Sequence, residues 1–305
     1  MAAEKAALWT PGADARVVRS EAGQDLAHFL VNHSGRRLSV RAARRVLEAG
    51  GCRVNGRVES FGSRLLRHSD VVEFFLPEDQ EHVFDRRRIL FDNAGVIAYD
   101  KPPVLPVTPT DGHKSWSLFD ILKAQLGELY AVHRLDADTS GIVLFARTQL
   151  MAERLEAMFR DHAVEKTYVA IVRGHPPEEG LRRSYLIKTE SRRGFEKWAS
   201  GRGTDAREAV TAWRVLERLG RYASLIEVTP KTGRHHQIRI HFSEMDFPLY
   251  GDRIYGDRQD PVHCSRHMLH ASRVKLPHPA GGPSLDIEAP LPLEFAEAAM
   301  MLKKL

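Results

Sequence analysis

The sequence lacks the features that mark several large classes of protein. It has two cysteines in 305 residues, Cys52 and Cys264. Two are too few for a disulfide framework, so we expect a protein of the reducing cytoplasm. No apolar run approaches the length of about 18 residues that a membrane helix needs. Residues 1–14 lack the apolar centre of a secretory signal and are expected to form a flexible tail.

Arginine, by contrast, is concentrated in one segment. The whole chain carries 45 lysines and arginines against 40 acids, a net charge of +5, whereas residues 33–67 hold nine arginines and two acids. The nine are Arg36, Arg37, Arg41, Arg44, Arg45, Arg53, Arg57, Arg64 and Arg67. Such a segment is typical of a surface that binds a polyanion, and a solvated cationic face has the same composition.

The apolar pattern divides the chain into two units. Residues 15–77 show helical spacing at positions 26–30 and 40–47, followed by an Asn-Gly turn at positions 55–56 that predicts a β-hairpin. Residues 78–88 are interpreted as a polar linker. In residues 89–305, strands and amphipathic helices interleave without a strict βαβ rhythm, which predicts an α+β fold with a mixed, mainly antiparallel sheet. The stretch 191–207, rich in Gly, Arg and Ser, is predicted to be a surface loop.

The segment from His133 to Gly141 is the strongest candidate for chemistry. It reads His-Arg-Leu-Asp-Ala-Asp-Thr-Ser-Gly and lies just before an apolar run that predicts a buried strand. A carboxylate fixed at a strand end, beside a cation and hydroxyl groups, is a common way to hold a reactive group. Residue chemistry alone is equally compatible with a purely structural role, in which Asp136 caps a turn and Arg134 forms an ion pair with Asp136.

This segment resembles the signature loop of the RluA family of pseudouridine synthases, His-Arg-Leu-Asp-x-x-Thr-Ser-Gly, at all seven specified positions. Further family blocks follow in the expected order. They are Asp100-Lys101-Pro102, Lys166-Thr167-Tyr168-x-Ala170, Arg207-x-Ala209-x-Thr211, Thr232-Gly233-Arg234-His235-His236-Gln237-Ile238-Arg239-Ile240-His241, Pro248-x-x-Gly251-Asp252-x-x-Tyr255-Gly256 and Leu269-His270-Ala271. Residues 15–77 resemble the alpha-L RNA-binding domain that many members carry ahead of the catalytic domain. The chain departs from the family pattern at Val104, where a glycine is common, and at residues 243–247.

The resemblance implies a single mixed sheet with flanking helices and a central basic cleft, and an enzyme that isomerises uridine to pseudouridine in structured RNA without a cofactor. It assigns Asp136 as the essential carboxylate and Arg239 as its ion-pair partner. Tyr168 is the aromatic residue that stacks on the uracil or assists proton transfer. Arg134 is a candidate to fill the space that a flipped nucleotide leaves.

The remaining implied residues concern RNA binding. His133, Thr139 and Arg234 are expected to support the catalytic loop at the RNA-binding surface. In the N-terminal unit, phosphate contacts are expected from Arg41, Arg44, Arg45 and Arg53. The alpha-L resemblance favours large-subunit ribosomal RNA, and transfer RNA and small-subunit ribosomal RNA are the alternatives. We expect the enzyme to act as a monomer and away from membranes.

Three other interpretations compete with this one. His263, Cys264, His267 and His270, and separately His235 with His236, suggest a metal site. We expect none, because a strand at Leu269-His270-Ala271 would point neighbouring side chains apart. An RNA-binding factor with a catalytically silent synthase fold, and a glycosylase that releases free uracil, are the other two.

Overall fold

The computed structural model describes residues 13–16, 21–34, 40–48, 51–74, 83–93, 95–109, 117–192, 195–256, 260–262 and 264–305. The chain forms two units, residues 1–81 and 82–305. Of the expected tail, residues 1–12 lie outside this description, and Ala13 and Asp14 belong to a strand. Of the expected linker, residues 78–82 also lie outside it, and Arg86–Arg88 form a 3-10 turn that the Asp85 side chain caps.

The N-terminal unit packs two helices and a four-stranded antiparallel sheet. Its elements are β1 (Ala13–Arg16), α1 (Leu26–His33), α2 (Val40–Glu48), β2 (Cys52–Val54), β3 (Arg57–Val58) and β4 (Val71–Phe74), with strand order β1-β4-β2-β3. The Asp25 side chain caps α1 by accepting the His28 amide. Asn55 and Gly56 have φ of 54° and 76°, as a tight hairpin turn between β2 and β3 requires. The predicted helices and hairpin are confirmed.

The larger unit is built on one sheet. Its strands are β5 (Ile89–Asn93), β6 (Val96–Lys101), β7 (Tyr130–Ala131), β8 (Ser140–Ala146), β9 (Glu165–Arg173), β10 (Glu179–Arg192), β11 (Phe195–Ser200), β12 (Arg207–Leu219), β13 (Ala223–Pro230), β14 (Leu269–Leu276) and β15 (Leu285–Glu288). Its helices are α3 (Leu118–Leu126), α4 (Gln149–Arg160), α5 (Gln237–Glu244) and α6 (Leu293–Lys303).

The sheet follows the order β11-β10-β12-β13-β9-β14-β8-β6-β5, with β15 beside β14 and β7 beside β8. The β14–β8 pair is parallel, and the other pairs along this order are antiparallel. The predicted mixed, mainly antiparallel α+β fold is confirmed.

The prediction of a surface loop at 191–207 holds for residues 201–206 and is wrong for most of the other described residues of the segment. The segment contains the edge strand β11, which pairs with β10 and places Lys188 opposite Trp198. The Lys188 ammonium lies 5.6 Å from the centroid of the Trp198 ring, and this contact helps fix the pair. The glycines and arginines around the strand conceal its short alternating pattern.

The parallel contact between β8 and β14 fixes where the catalytic-loop candidate ends. β8 is buried along its full length, with α3 and α4 contributing to the apolar clusters around it. Gly141 in β8 has φ of 106°, and a Cβ there would lie 2.2 Å from the carbonyl oxygen of Ala271. The two strands can therefore meet at this point only because residue 141 is glycine.

Candidate active site

The segment that carries Asp136 connects β7 to β8 and is held by its own backbone. The Thr139 amide donates to the Asp136 carbonyl at 3.0 Å, and the Leu105 amide donates to the Ala137 carbonyl at 3.2 Å. These bonds close a turn around Asp136, whose side chain is 19% exposed. The carboxylate is therefore presented from a fixed loop at a strand end, as the sequence predicts.

Lys101 anchors the same loop from the end of β6. Its ammonium is fully buried and donates to the carbonyls of Pro102, Leu105 and Ala137 at 2.9, 2.9 and 2.8 Å. Burial lowers the pKa of Lys101 to about 7, opposed by Asp138 and Asp136. Because three carbonyls accept its three protons, the ammonium joins the Lys-Pro segment to the residue after Asp136.

Arg266 anchors the other end of the loop. Its guanidinium donates to the Asp138 carbonyl at 3.0 Å and to Ser140 Oγ at 2.9 Å, and it pairs with Glu294 in the first turn of α6. Thr139 is buried, and its hydroxyl lies 2.8 Å from His267 Nε2. Thr139 thus supports the loop through its side chain.

Arg239, on α5, binds two carboxylates at once. It donates to Asp136 Oδ2 at 2.9 Å, and to Asp252 at 2.6 and 2.9 Å through two nitrogens. The amides of Ile254 and Tyr255 donate to Asp252 Oδ1 at 3.0 Å each. Asp252 therefore holds the guanidinium in the orientation in which its remaining nitrogen reaches Asp136.

The charges around Asp136 favour its ionised form. Burial is the largest single effect and raises the pKa of this carboxyl, but His236, Arg239, His267 and His235 together lower it, and the net result lies well below the usual range. Burial lowers the pKa of His236 to about 3, so that imidazole is neutral at pH 7. Arg239 is therefore a fixed cation beside Asp136 at neutral pH, and Asp136 is a carboxylate.

Two histidines also lie beside the carboxylate of Asp136. The rings of His235 and His236 stack with centroids 4.0 Å apart, and their Nε2 atoms lie 3.9 and 3.7 Å from the Asp136 oxygens. His236 Nδ1 lies 2.9 Å from the Tyr255 hydroxyl. Asp136, His235 and His236 bring three ligand atoms within 4.8 Å of one another, a spacing from which a divalent metal could be held. The adjacent Arg239 cation opposes such binding.

The other candidate metal group, where we expect no site, is not assembled among the residues that the structure describes. His267 bonds Thr139, and His270 Nδ1 lies 2.9 Å from Ser140 Oγ. His263 lies outside the described residues. His267 and His270 thus connect β14 and the residues before it to the loop that carries Asp136.

Tyr168 lies in β9 opposite Ala271 of β14 and packs against two apolar clusters of the larger unit. Burial, and next the negative charge of Asp136, raise the pKa of its hydroxyl above the usual range. The phenol is therefore protonated at neutral pH. Tyr168 is therefore close enough to Asp136 for the carboxylate charge to act on its hydroxyl.

The other predicted residues divide into supporting and exposed groups. The Leu144 amide donates to His133 Nε2 at 2.8 Å, and the His133 ring packs on Phe159 with centroids 4.6 Å apart. His133 therefore fixes the loop against β8 and α4. Arg134 is exposed. Arg234 is exposed as well, and its Nε donates to the Glu208 carbonyl at 2.9 Å.

The predicted cations of the N-terminal unit lie on α2 and β2. Arg44 is exposed on α2, and Arg53 is partly buried on β2. Arg41 and Arg45 also belong to α2, but their side chains lie outside the described part of the structure.

Sequence reasoning assigned no role to Lys101, Asp252 or Arg266, and it considered His267 only as a candidate metal ligand. Lys101 and Asp252 stand inside family blocks that the sequence displays, so those blocks are the signal that could have identified them. Their function depends on carbonyl and guanidinium partners that are distant in sequence, which the sequence alone does not reveal.

Comparison with known proteins places these residues in context. A family model described as RNA pseudouridylate synthase matches residues 95–244, which include Asp136, Tyr168 and Arg239. The transfer-RNA pseudouridine synthase C of Vibrio parahaemolyticus is 34% identical over 220 residues, covering 66% of this chain and 89% of that protein. The ribosomal large subunit pseudouridine synthase D of Zymomonas mobilis is 32% identical over 232 residues, covering 70% and 72%.

A solved structure shows the same architecture. The human RNA pseudouridylate synthase domain containing 4 superposes with a TM-score of 0.57 at 26% sequence identity, covering 72% of this chain and 93% of that one.

Proposed function

This chain belongs to the RluA-type RNA pseudouridine synthases and isomerises uridine in RNA; from that premise we propose that Asp136 is its catalytic carboxylate. The observation that carries the proposal is the hydrogen bond from Arg239 to Asp136 at 2.9 Å. Asp252 also binds the Arg239 guanidinium and so fixes its orientation. The catalytic carboxylate must be ionised and correctly oriented. Arg239 favours the ionised form of Asp136 and, through their hydrogen bond, its orientation.

The reaction needs a nucleophile or base and a protected cleft. The bond from ribose C1′ to N1 breaks, the uracil turns, and C1′ bonds to C5. The hydrogen of C5 leaves as a proton, and N1 gains a proton. The product is an isomer of the substrate, so no oxidant or reductant is consumed. An ionised Asp136 suits attack on the sugar or base, and equally suits removal of a proton from the sugar.

Tyr168 is proposed to stack its ring on the uracil. Its raised pKa keeps the hydroxyl protonated at neutral pH, so it can donate a proton but is a poor base. If the ring acts by stacking, Tyr168→Phe retains a rate within about tenfold of wild type in pseudouridine formation. A loss of more than about 10³-fold would instead assign proton transfer to the hydroxyl.

Arg134 is proposed to occupy the place of the flipped nucleotide. It is the exposed cation of the loop, two residues before Asp136. An enzyme that acts on a stacked base must extrude it, at a cost of a few kcal/mol. A guanidinium that stacks in the gap offsets part of this cost.

The N-terminal unit is proposed to be an alpha-L RNA-binding domain. Its two helices and hairpin carry exposed arginines on α2 and β3. Changing Arg41, Arg44 and Arg45 together to alanine is expected to weaken RNA binding and to flatten its dependence on salt. Unchanged binding would contradict this role.

Large-subunit ribosomal RNA is the proposed substrate, for a cytoplasmic enzyme that acts as a monomer. The transfer-RNA relative has little of its length outside the matched region, whereas the ribosomal relative has more. The resemblance of residues 15–77 to the alpha-L RNA-binding domain is what supports a ribosomal substrate over a transfer-RNA one. No helix in the described ranges is long and apolar enough to cross a membrane.

The substrate assignment is tested by mapping pseudouridines in ribosomal and transfer RNA from cells with and without this protein. A site that disappears from large-subunit ribosomal RNA supports the proposal. A site that disappears only from transfer RNA would contradict it. RNA that the protein binds but never modifies would favour the silent-synthase alternative.

A further inference from the structure

The segment from β3 to β4 in the N-terminal unit presents apolar side chains to solvent. Val58, Phe61 and Leu65 are 60%, 72% and 63% exposed. The arginines interleaved with them are Arg57, Arg64 and Arg67. Phe61 is the aromatic one of the three, and an exposed aromatic ring set among cations is the combination on which single-stranded nucleic acids stack.

Phe61 is exposed although the loop that carries it is fixed. Glu59 Oε1 accepts the amides of Ser60 and Phe61 at 3.0 Å each. The Ala27 amide donates to the Gly62 carbonyl at 3.0 Å. A Cβ on Gly62 would lie 3.1 Å from Ala27 Cβ, so the loop lies directly on α1. A ring held on such a loop loses little conformational freedom when a ligand covers it.

The surroundings of Phe61 carry positive charge. Arg44 on α2 lies against the loop, since its Cγ is 3.3 Å from the position of a Cβ on Gly62. Of the two acids between β3 and β4, Glu59 is paired with Arg64 at 2.6 Å, and Asp70 is buried and accepts the Arg67 amide. Arg57 and Arg67 are exposed. An apolar ring flanked by cations complements a nucleobase flanked by phosphates.

We propose that Phe61 is a stacking platform for an unpaired RNA base, with Arg44 and neighbouring arginines on the adjoining phosphates. The base must be unpaired because bases inside a duplex already stack on each other. The proposal rests on the proposed RNA-binding role of the N-terminal unit. It adds that this unit selects RNA with a bulged or looped-out nucleotide.

The experiment measures binding of the full-length protein to two RNA hairpins. They are identical except that one has a single bulged adenosine, a base that the uridine-specific catalytic centre does not use. Wild type is expected to bind the bulged hairpin about 10-fold more tightly. Phe61→Ala and Phe61→Leu are expected to lose this preference, and Phe61→Trp is expected to keep it.

Arg44→Ala separates this proposal from the role of the unit as a whole. It is expected to weaken binding of both hairpins alike and to reduce the salt dependence by about one phosphate contact. A normal preference in Phe61→Ala, or equal binding of both hairpins by wild type, would overturn the stacking proposal. The exposed segment would then fit a protein partner better. An Arg44→Ala variant with unchanged binding and salt dependence would count against the RNA-binding role instead.

Discussion

Arg239 lies between two carboxylates, and this position determines how charge is distributed around Asp136. One side of its guanidinium is bound by Asp252 and the other reaches Asp136. Because His236 is neutral at pH 7, the positive charge at this point comes from Arg239. Arginine suits this position because its planar fork bonds two partners in fixed directions.

Arg239→Lys is expected to lower kcat by about 10²-fold, since lysine keeps the charge but not the fork. The pH profile should change as well. Asp136 must be ionised, so activity is lost as pH falls through its pKa, which Arg239 holds below the usual range. A weaker partner raises that pKa, and the acid limb of kcat/KM moves to higher pH.

Arg214→Lys is the matched control, because Arg214 pairs with Glu227 on the exposed face of the sheet. It should leave both kcat and the pH profile unchanged. An Arg239→Lys enzyme with a wild-type rate and acid limb would contradict the assigned role.

The sequence predicts Asp136, Arg239 and Tyr168 because each stands at a specified motif position. It does not predict what Lys101 or Arg266 do, since both act through backbone carbonyls that any residue supplies. An anchoring side chain of this kind leaves no pattern in the partner segment. Only the folded backbone shows which carbonyls converge.

At the scale of elements, the catalytic loop depends on the parallel contact of β8 with β14. The loop ends where Ser140 and Gly141 pair with His270 and Ala271. Three side-chain contacts converge on the same few residues, from Lys101, Arg266 and His267. The strand pair and its anchors therefore form one support for Asp136.

Gly141→Ala is expected to lower the free energy of unfolding by about 3 kcal/mol or more and to abolish activity. The added Cβ would overlap the Ala271 carbonyl, and a φ of 106° is unfavourable for alanine. Thermal unfolding and a turnover assay measure the two effects.

Gly281→Ala is the control for backbone strain alone, because φ there is 85° and nothing lies within 4 Å of a new Cβ. It should cost roughly 1–2 kcal/mol and leave activity intact. Equal effects of the two substitutions would show that the close approach of β8 and β14 is unimportant.

The edge strand β11 shows what element-level prediction misses. Long strands such as β8 and β9 are evident from continuous or alternating apolar residues, whereas β11 has six residues flanked by Gly, Arg and Ser. Pairing with β10 and the contact of Lys188 with Trp198 stabilise it. These contacts are made with residues outside the strand, so the local sequence alone underestimates the tendency of this segment to form a strand.

At the scale of the whole molecule, the larger unit buries several histidines in their neutral form. Burial is the main cause of the lowered pKa in each case, to about 3 for His133 and His236 and about 4 for His241, His267 and His270. In the unfolded chain these groups titrate near 6.5. Between the two values the unfolded state binds more protons than the native state.

The larger unit is therefore expected to lose stability as pH falls from about 6.5 towards 4. Each such histidine removes at most about 1.4 kcal/mol per pH unit in that window. Urea unfolding at pH 7.0, 5.5 and 4.5 measures the slope, and His267→Asn should make it shallower. A free energy of unfolding that stays constant over this range would contradict the account.

The central claim, that Asp136 is the catalytic carboxylate, is tested most directly by tritium release from RNA labelled at C5 of uridine. Pseudouridine formation frees that hydrogen, so wild type should release tritium. Asp136→Asn should still bind the RNA, but it should release tritium about 10⁴-fold more slowly or not at all. Asp138→Asn, a matched change in the same loop, should remain active. Release at the wild-type rate by Asp136→Asn would contradict the claim.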